Sequence, residues 1–165
     1  MVSCVFPGSF DPVTAGHVHL ISRAAAVFDR VTVAVMINIH KTGVIPVEKR
    51  MELLRTACSC IPNVQIVSWD GLLSDFMKNN NERIVIRGVR NSAEFDQECS
   101  SCQINRILNS NFETLLIPSD PEYSGLSSSA VREIASFGGN IEPFVPAGLS
   151  EEITSLLSND KAKDR

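Results

Sequence analysis

The sequence lacks an excess of positive charge, and it lacks any long hydrophobic run. Its 15 lysines and arginines are outnumbered by 19 aspartates and glutamates, which gives a net charge of −4. A chain with this balance does not carry the broad basic surface of a nucleic-acid-binding protein. The longest apolar stretch, at residues 31–39, is interrupted by Thr32 and Asn38 and is too short to cross a bilayer. We therefore expect neither nucleic acid nor a membrane among its partners.

Other features of the composition narrow the class of protein. The 9 glycines and 8 prolines are near average usage, which excludes a collagen-like fibre, and 44% hydrophobic residues exclude a disordered chain. The first residues show no basic segment followed by an apolar one, so we expect no signal peptide. We expect the 5 cysteines to be free thiols in the cytoplasm. The 165 residues fit about one domain, predicted at residues 1–157, with a polar tail at 158–165.

Short β-branched runs alternate with longer helical patterns along the chain. The predicted strands are residues 2–6, 31–37, 64–67, 83–86 and 114–117. The predicted helices are residues 17–28, 47–60, 72–79, 92–109, 128–137 and 149–157. Near-continuous apolar strands that alternate with helices are typical of a parallel sheet covered on both faces. The sequence therefore predicts an α/β protein with a single Rossmann-like fold and a five-stranded parallel sheet.

Polar residues with the chemistry of a phosphate site follow the first strand. In open parallel sheets, ligands bind beyond the carboxyl ends of the strands, where the strand order reverses. Gly8 allows a tight turn, Gly16 opens the start of the next helix, and His17 lies in its first turn. Backbone N–H groups and the positive end of the helix dipole attract phosphate there. We predict that His17 is directed at this ligand, whereas His19, roughly 200° further round the helix, is not.

Cations and serines follow the later strands. Lys41 follows the second strand, and Arg87 and Arg90 follow the fourth. Arginine can hold a phosphate through two parallel hydrogen bonds, and an unpaired cation at the end of a buried strand is costly. We therefore expect Arg87 to meet an anion. The three serines at 127–129 are either a plain helix N-cap or the start of a second phosphate-binding helix.

Three segments together resemble a known family. They are P-G-S-F-D-P with T-A-G-H at residues 7–17, I-R-G-V-R at 86–90 and L-S-S-S-A-V-R at 126–132. Their order and spacing are similar to the T-x-G-H form of the nucleotidyltransferase superfamily, and specifically to bacterial phosphopantetheine adenylyltransferases, from about residue 2 to about residue 157. The resemblance implies reversible transfer of the adenylyl group of ATP to 4′-phosphopantetheine. The products would be 3′-dephospho-coenzyme A and diphosphate, in coenzyme A biosynthesis.

The resemblance also implies roles for individual residues. The implied catalytic residues are His17, Lys41 and Arg87, with His17 binding the ATP phosphates and stabilising the transition state. The implied phosphopantetheine site consists of Ser9, Lys41, Leu73 and Arg87. The implied ATP site consists of Ser9, Phe10, His17, Gly88, Val89, Arg90, Glu98, Tyr123, Ser124, Gly125, Leu126, Ser127, Ser128 and Ser129. Mg²⁺ brought with ATP, a homohexamer and feedback by coenzyme A are further expectations from the resemblance.

The sequence leaves three alternatives open. A related nucleotidyltransferase would use nicotinamide mononucleotide or a cytidine nucleotide, although such signatures commonly carry His at the position of Thr14. A nucleotide-binding regulator without catalysis would have little reason to keep His17, Lys41 and Arg87 together. The cysteine pairs Cys58/Cys60 and Cys99/Cys102 resemble redox or zinc spacings. Cys99, however, falls inside a predicted helix, which favours these cysteines as small apolar residues.

The chemistry of the implied reaction needs no general base. A phosphate monoester has a second pKa of about 6, so the attacking phosphate is largely a dianion near neutral pH. Catalysis then consists of bringing this dianion to the α-phosphate of ATP and of stabilising the charge that develops there. We predict that Lys41 and Arg87 hold the incoming phosphate, and that His17 stabilises the α-phosphate.

Overall fold

The computed structural model describes residues 1–37 and 43–160, and in them strands alternate with helices as the sequence predicts. The strands are β1 (Ser3–Gly8), β2 (Arg30–Met36), β3 (Val64–Trp69), β4 (Ile84–Val89) and β5 (Glu113–Pro118). The helices are α1 (Ala15–Ala25), α2 (Val47–Ala57), α3 (Leu73–Asn79), α4 (Ser92–Leu108), α5 (Ser128–Ser136) and α6 (Ser150–Asp160). Single 3-10 turns lie at Pro121–Tyr123 and Glu142–Phe144.

The five strands form one parallel sheet in the order β3-β2-β1-β4-β5. The chain moves outward from β1 through β2 to β3, then crosses back to place β4 on the other side of β1. The strand order therefore reverses between β1 and β4. The carboxyl ends of these two strands diverge at such a point and leave a crevice for a ligand. The predicted fold class is confirmed.

Both faces of the sheet are covered, and alternate residues of β1 show this directly. Cys4 and Phe6 belong to a core cluster that includes the inward faces of α1, α2, α5 and α6. Val5, between them, belongs to a second cluster with Phe76 and Met77 of α3. Successive side chains of a strand point to opposite faces, so each face of β1 has its own core.

The predicted helix ends agree with the structure to within three residues. Thr14 caps α1, and its hydroxyl accepts a hydrogen bond from the His17 backbone N–H at 3.3 Å. Helix α6 continues to Asp160, three residues past its predicted end, and residues 161–165 lie outside the described part of the chain. The division of the chain at residue 157 stays a prediction. Within the described residues, every helix is too short or too polar to cross a membrane.

Candidate active site

Two cavities open at the carboxyl ends of β1 and β4, where the strand order reverses. The larger has a volume of about 720 Å³ and the smaller about 310 Å³. They share Pro7 and Gly8 at the end of β1 and Ser9 directly after it, together with Arg87 of β4 and Glu98 of α4. Two ligands bound in these cavities would meet at the shared residues. The crevice expected at the reversal of strand order is therefore a double cavity with a common wall.

Most of the predicted site residues line these cavities. The larger cavity is lined by Ser9, Leu73, Arg87 and Glu98. The smaller cavity is lined by Ser9, Phe10, His17, Arg87, Gly88, Arg90, Glu98, Tyr123, Leu126, Ser127 and Ser128. Neither cavity is lined by Val89, Ser124, Gly125 or Ser129, and their roles stay predictions. Lys41 lies outside the described residues.

His17 is held as a neutral hydrogen-bond donor. The Thr14 backbone N–H donates to His17 Nδ1 at 3.0 Å, so in the neutral ring the proton resides on Nε2. Burial, and then the charges of Arg90 and Arg87, lower the pKa of His17 from 6.5 to about 4. The imidazole is therefore uncharged near pH 7. It can donate a hydrogen bond from Nε2 to a phosphate oxygen without itself carrying a charge.

Phe10 helps to fix the ring of His17. The two rings meet edge to face, with centroids 5.1 Å apart, and Phe10 is almost completely buried. Phe10 has a φ of +49°, in the left-handed region that side chains with a Cβ rarely adopt. This conformation costs about 1–2 kcal/mol and turns the aromatic ring inward beneath the histidine. The family resemblance implies only that Phe10 belongs to the ATP site, and the packing of its ring against His17 is not readable from the sequence.

Arg87 meets an anion supplied by the protein itself. Its Nε and Nη2 donate to the two carboxylate oxygens of Glu98 at 2.9 and 2.5 Å, and its Nη1 donates to the Pro7 carbonyl at 2.6 Å. A guanidinium has five N–H donors, so three of them are used and one remains on each of Nη1 and Nη2. Arg87 is thus oriented before any ligand arrives and keeps two donors for it.

Arg90 makes the same kind of pair with Glu94, which lies one helical turn before Glu98 on α4. Its Nε donates to Glu94 Oε2 at 3.1 Å, its Nη2 donates to Glu94 Oε1, and its Nη1 donates to the Leu126 carbonyl. The hydrogen bond from Arg90 is the main reason that the pKa of Glu94 lies below its ordinary value. Both site arginines therefore pair with a carboxylate of α4 and keep two N–H groups unused. The Arg90–Glu94 pair spans only four residues along the chain, whereas the Arg87–Glu98 pair spans 11 residues and forms once α4 packs against β4.

The serine segment at residues 127–129 and the helix that follows it are hydrogen-bonded to the turn after β1. Ser127 caps α5 by accepting from the Ala130 N–H at 3.1 Å, which confirms the plain capping role. The Ser128 hydroxyl donates to the Pro12 carbonyl at 2.8 Å, and Arg132 donates to the Asp11 carbonyl. Ser127 and Ser128 also line the smaller cavity. Two segments more than a hundred residues apart in sequence thus form one wall.

Asp11 holds the backbone at residues 44 and 45, shortly before α2. Its buried carboxylate accepts hydrogen bonds from the backbone N–H groups of Val44 and Ile45, both at 2.9 Å. Because two N–H donors satisfy the carboxylate, residue 44 is held directly beside Asp11 in the turn after β1. The sequence signal for this anchor is an aspartate in a turn that otherwise consists of small and apolar residues.

The cysteines only partly fulfil the expectation of buried apolar residues. Cys4 and Cys58 are buried, which raises their pKa values to about 12 and about 11, so both are unreactive thiols. Cys60 is exposed in the turn after α2, and Cys99 and Cys102 are half-buried on α4. All five are free. Within the described residues, no three His, Cys, Asp or Glu side chains form a group that could hold a metal.

Comparison with known proteins assigns the family. The family model described as Cytidylyltransferase-like matches residues 5–134. A phosphopantetheine adenylyltransferase of Clostridium perfringens is 41% identical over 155 residues, which cover 94% of each chain. The protein of that name from Clostridium tetani is also 41% identical, over 94% of this chain and 97% of its own. This chain belongs to the phosphopantetheine adenylyltransferase family. It is a nucleotidyltransferase, as the sequence predicts.

A solved structure supports the fold at greater evolutionary distance. It comes from Vibrio parahaemolyticus and is assigned as a candidate nicotinate-nucleotide adenylyltransferase. It superposes with a TM-score of 0.66 over 96% of this chain and 93% of its own, at 15% sequence identity. At that identity the likeness concerns the fold alone. The substrate distinction rests instead on the phosphopantetheine adenylyltransferase relatives.

Proposed function

We propose that this chain transfers the adenylyl group of ATP to 4′-phosphopantetheine. The observation that carries the proposal is the pair of cavities that share Ser9 and Arg87. A reaction between two bound substrates requires adjoining sites with the reacting groups at their common wall. The products are 3′-dephospho-coenzyme A and diphosphate, and the reaction is reversible.

Each substrate has a cavity of suitable character. The larger cavity, with Leu73 and Met36 in its wall, suits the long pantetheine arm, whose phosphate would reach Arg87. The smaller cavity combines His17, Arg90 and the start of α5, which suits the phosphates of ATP. Glu98 borders both cavities and pairs with Arg87, so we propose that it orients this arginine. That role is added to the ATP contact implied by the family resemblance.

Catalysis follows from charge and position. An oxygen of the dianionic phosphate of 4′-phosphopantetheine attacks the α-phosphorus of ATP and forms a bond to it. The bond from the α-phosphorus to the oxygen that bridges to the β-phosphate breaks, and diphosphate leaves with that oxygen. Arg87 offers its two unused N–H groups to the incoming phosphate. His17 Nε2–H donates to an oxygen of the α-phosphate, where negative charge increases in the transition state. No side chain has to remove a proton from the nucleophile.

Lys41, Mg²⁺ and the cellular setting complete the proposal. Lys41 would add a second cation for the phosphopantetheine phosphate, and Asp11 holds residue 44, three positions after it. We propose that ATP enters as its Mg²⁺ complex, since the described residues offer no cluster able to form a metal cage. The five free thiols are consistent with a reducing, cytoplasmic setting.

A direct assay tests the proposed reaction. The purified chain is incubated with ATP, Mg²⁺ and either 4′-phosphopantetheine or nicotinamide mononucleotide, and the release of diphosphate is measured. We expect diphosphate and dephospho-coenzyme A in the incubation with 4′-phosphopantetheine, and no diphosphate in the incubation with nicotinamide mononucleotide. Diphosphate release with nicotinamide mononucleotide but not 4′-phosphopantetheine would assign the chain to the other substrate branch.

The pH dependence of kcat/KM should reflect protonation of the substrate phosphate rather than protonation of His17. The pKa of His17 is about 4, so the imidazole stays neutral through the range in which the substrate phosphate, with a pKa of about 6, gains a proton. We expect kcat/KM to fall as the pH drops below about 6. His17→Gln should retain this acid limb at a lower overall rate. Loss of the limb in His17→Gln would instead assign it to the histidine.

Helix α4 supports a further part of the proposal, assembly as a homohexamer. None of residues 92–108, all within the described part of the chain, is buried. Ile107 is 85% exposed and Ile104 is 60% exposed, and Leu108, one turn after Ile104, is exposed as well. A contiguous apolar face of this kind marks a protein–protein contact.

Coenzyme A, which contains both halves of the product, would act as a feedback inhibitor by occupying the two cavities.

Light scattering after size-exclusion chromatography tests the assembly. We expect about 108 kDa for the wild type, six times the 18.0 kDa chain. Ile107→Glu should yield smaller species, because a charge at the centre of an apolar contact is costly to bury. Val27→Glu, at a site 78% exposed after α1, is the matched control and should remain assembled. A wild-type monomer would contradict the proposal.

A further inference from the structure

The segment that carries Tyr123 is held in place from outside rather than by a core of its own. It runs from Ser119 to Ser127, between β5 and α5, and none of these residues is buried. Tyr123 nevertheless lines the smaller cavity. A segment with so little burial does not order itself, because fixing each backbone residue costs about 1–2 kcal/mol of conformational entropy. Its neighbours must therefore supply the contacts that set its position.

One face of α1 supplies these contacts. Gly16, His19 and Arg23 lie three and four residues apart and therefore form a stripe along the helix. His19 Nε2 donates to Asp120 Oδ2 at 2.8 Å, and Arg23 Nη1 donates to Asp120 Oδ1 at 3.0 Å. The same Arg23 nitrogen donates to the Pro118 carbonyl at 2.7 Å. Both carboxylate oxygens of Asp120 are thus bound to α1.

The stripe also contacts Tyr123 itself. The rings of His19 and Tyr123 lie with their centroids 4.9 Å apart and their planes inclined by 35°. At Gly16, an added Cβ would come within 3.3 Å of Tyr123 Cβ, so the missing side chain allows α1 and the tyrosine to approach closely. The imidazole of His19 lies against one side of the aromatic ring. The ring is thereby oriented at the wall of the cavity.

We propose that His19, through Asp120 and the ring of Tyr123, is a positioning residue for the nucleotide half of the site. This inference rests on the proposed function, because it assigns the smaller cavity to ATP. His19 does not line either cavity and touches no reacting group. Its effect is to order the Tyr123 segment before ATP binds, so that binding does not bear the entropic cost of ordering it.

Steady-state kinetics of three variants separate the two contacts of His19. We expect His19→Ala to raise the KM for ATP about tenfold, which is the size of one partly exposed hydrogen bond to a carboxylate together with one aromatic contact. The KM for 4′-phosphopantetheine should stay unchanged, and kcat should change little. His19→Gln retains a donor for Asp120, and His19→Phe retains a ring for Tyr123. Each should restore part of the ATP affinity.

Ser22→Ala is the matched control, because Ser22 is exposed on the same helix, whereas the hydrogen bonds from α1 to Pro118 and Asp120 come from His19 and Arg23. It should leave both KM values as in the wild type. If His19→Ala raised both KM values equally, lowered kcat and lowered the melting temperature, the substitution would have destabilised the whole domain. That result would overturn the proposal. An ATP KM for His19→Ala that matches Ser22→Ala would overturn it as well.

A second measurement does not depend on catalysis. Tyr123 is the only tyrosine of the chain, so ring-labelled tyrosine gives a single signal in the NMR spectrum. We expect this signal to shift in ligand-free His19→Ala and to stay unchanged in Ser22→Ala. In the wild type, it should also shift when ATP is added but not with 4′-phosphopantetheine alone. An unchanged signal in His19→Ala overturns the positioning role even if the assay with 4′-phosphopantetheine succeeds, whereas an inactive wild type refutes only the proposed function.

Discussion

Replacing Arg87 with alanine should lower kcat/KM for 4′-phosphopantetheine about a thousandfold, which corresponds to about 4 kcal/mol. Two losses combine in this variant. The incoming phosphate loses the N–H donors on Nη1 and Nη2, and Glu98 loses the partner of its carboxylate. The side chain of Glu98 is only 16% exposed. An unpaired carboxylate at the common wall of the cavities would then repel a dianionic substrate.

A second substitution separates these two losses. Arg87→Ala combined with Glu98→Gln removes the repelling charge and should recover about tenfold in kcat/KM relative to Arg87→Ala alone. Arg30→Ala is the matched control, because Arg30 pairs with the buried Glu82 at 2.8 Å at the amino-terminal edge of the sheet. It should reduce stability and leave the KM for phosphopantetheine unchanged. If Arg87→Ala retained wild-type kcat/KM, the phosphate contact would be wrong.

The second large effect is expected at His17. His17→Ala should lower kcat about 100- to 1000-fold and leave both KM values nearly unchanged. The donor at Nε2 is oriented in advance by the Thr14 N–H and by the edge of Phe10, so it costs no reorganisation during the reaction. It also lies in a site where burial lowers the pKa of the ring to about 4, which keeps the group neutral and its donor constant.

Steady-state kinetics of three proteins check this prediction. His17→Asn, which offers an amide donor near the same place, should recover part of the kcat lost in His17→Ala. The wild type provides the reference for both KM values. A kcat for His17→Ala equal to that of the wild type would show that the histidine is not needed for transition-state stabilisation. A large rise in the KM for ATP without loss of kcat would make it a binding residue only.

Most of the fold is readable in the sequence because each element leaves a local signature. All predicted strand and helix ends agree with the structure to within three residues. The largest difference in a strand is at β4, predicted to end at residue 86 but observed to continue to Val89. Arg87 and Gly88 interrupt the apolar run, yet backbone pairing with β5 continues through them to Pro118. Strand ends depend on the neighbouring strand, which a local pattern does not contain.

The site was predicted only as a set of residue types. His17, Arg87 and Arg90 could be found because each follows a strand whose apolar run stops abruptly. The hydrogen-bond partners that lie far along the chain could not be found in that way. Glu98 lies 11 residues after Arg87, and Asp120 lies 101 residues after His19, so only the folded backbone brings them within hydrogen-bond distance. His19 was excluded from the site by helix geometry, and it does reach the site indirectly, through the Tyr123 ring.

By itself, the sequence determined the order of elements, the parallel sheet and the edge at which phosphate chemistry lies. Those properties follow from side-chain periodicity and from the rule that parallel strands end on one edge, and both act over short distances. Only the tertiary structure decided the state of each charged group. Whether Arg87 is free or already paired, whether His17 is charged, and which face of Tyr123 is covered depend on atoms brought together from β1, β4, α1 and α4. Electrostatic and hydrogen-bond energies fall off within a few ångströms, so they are set by spatial neighbours and not by neighbours along the chain.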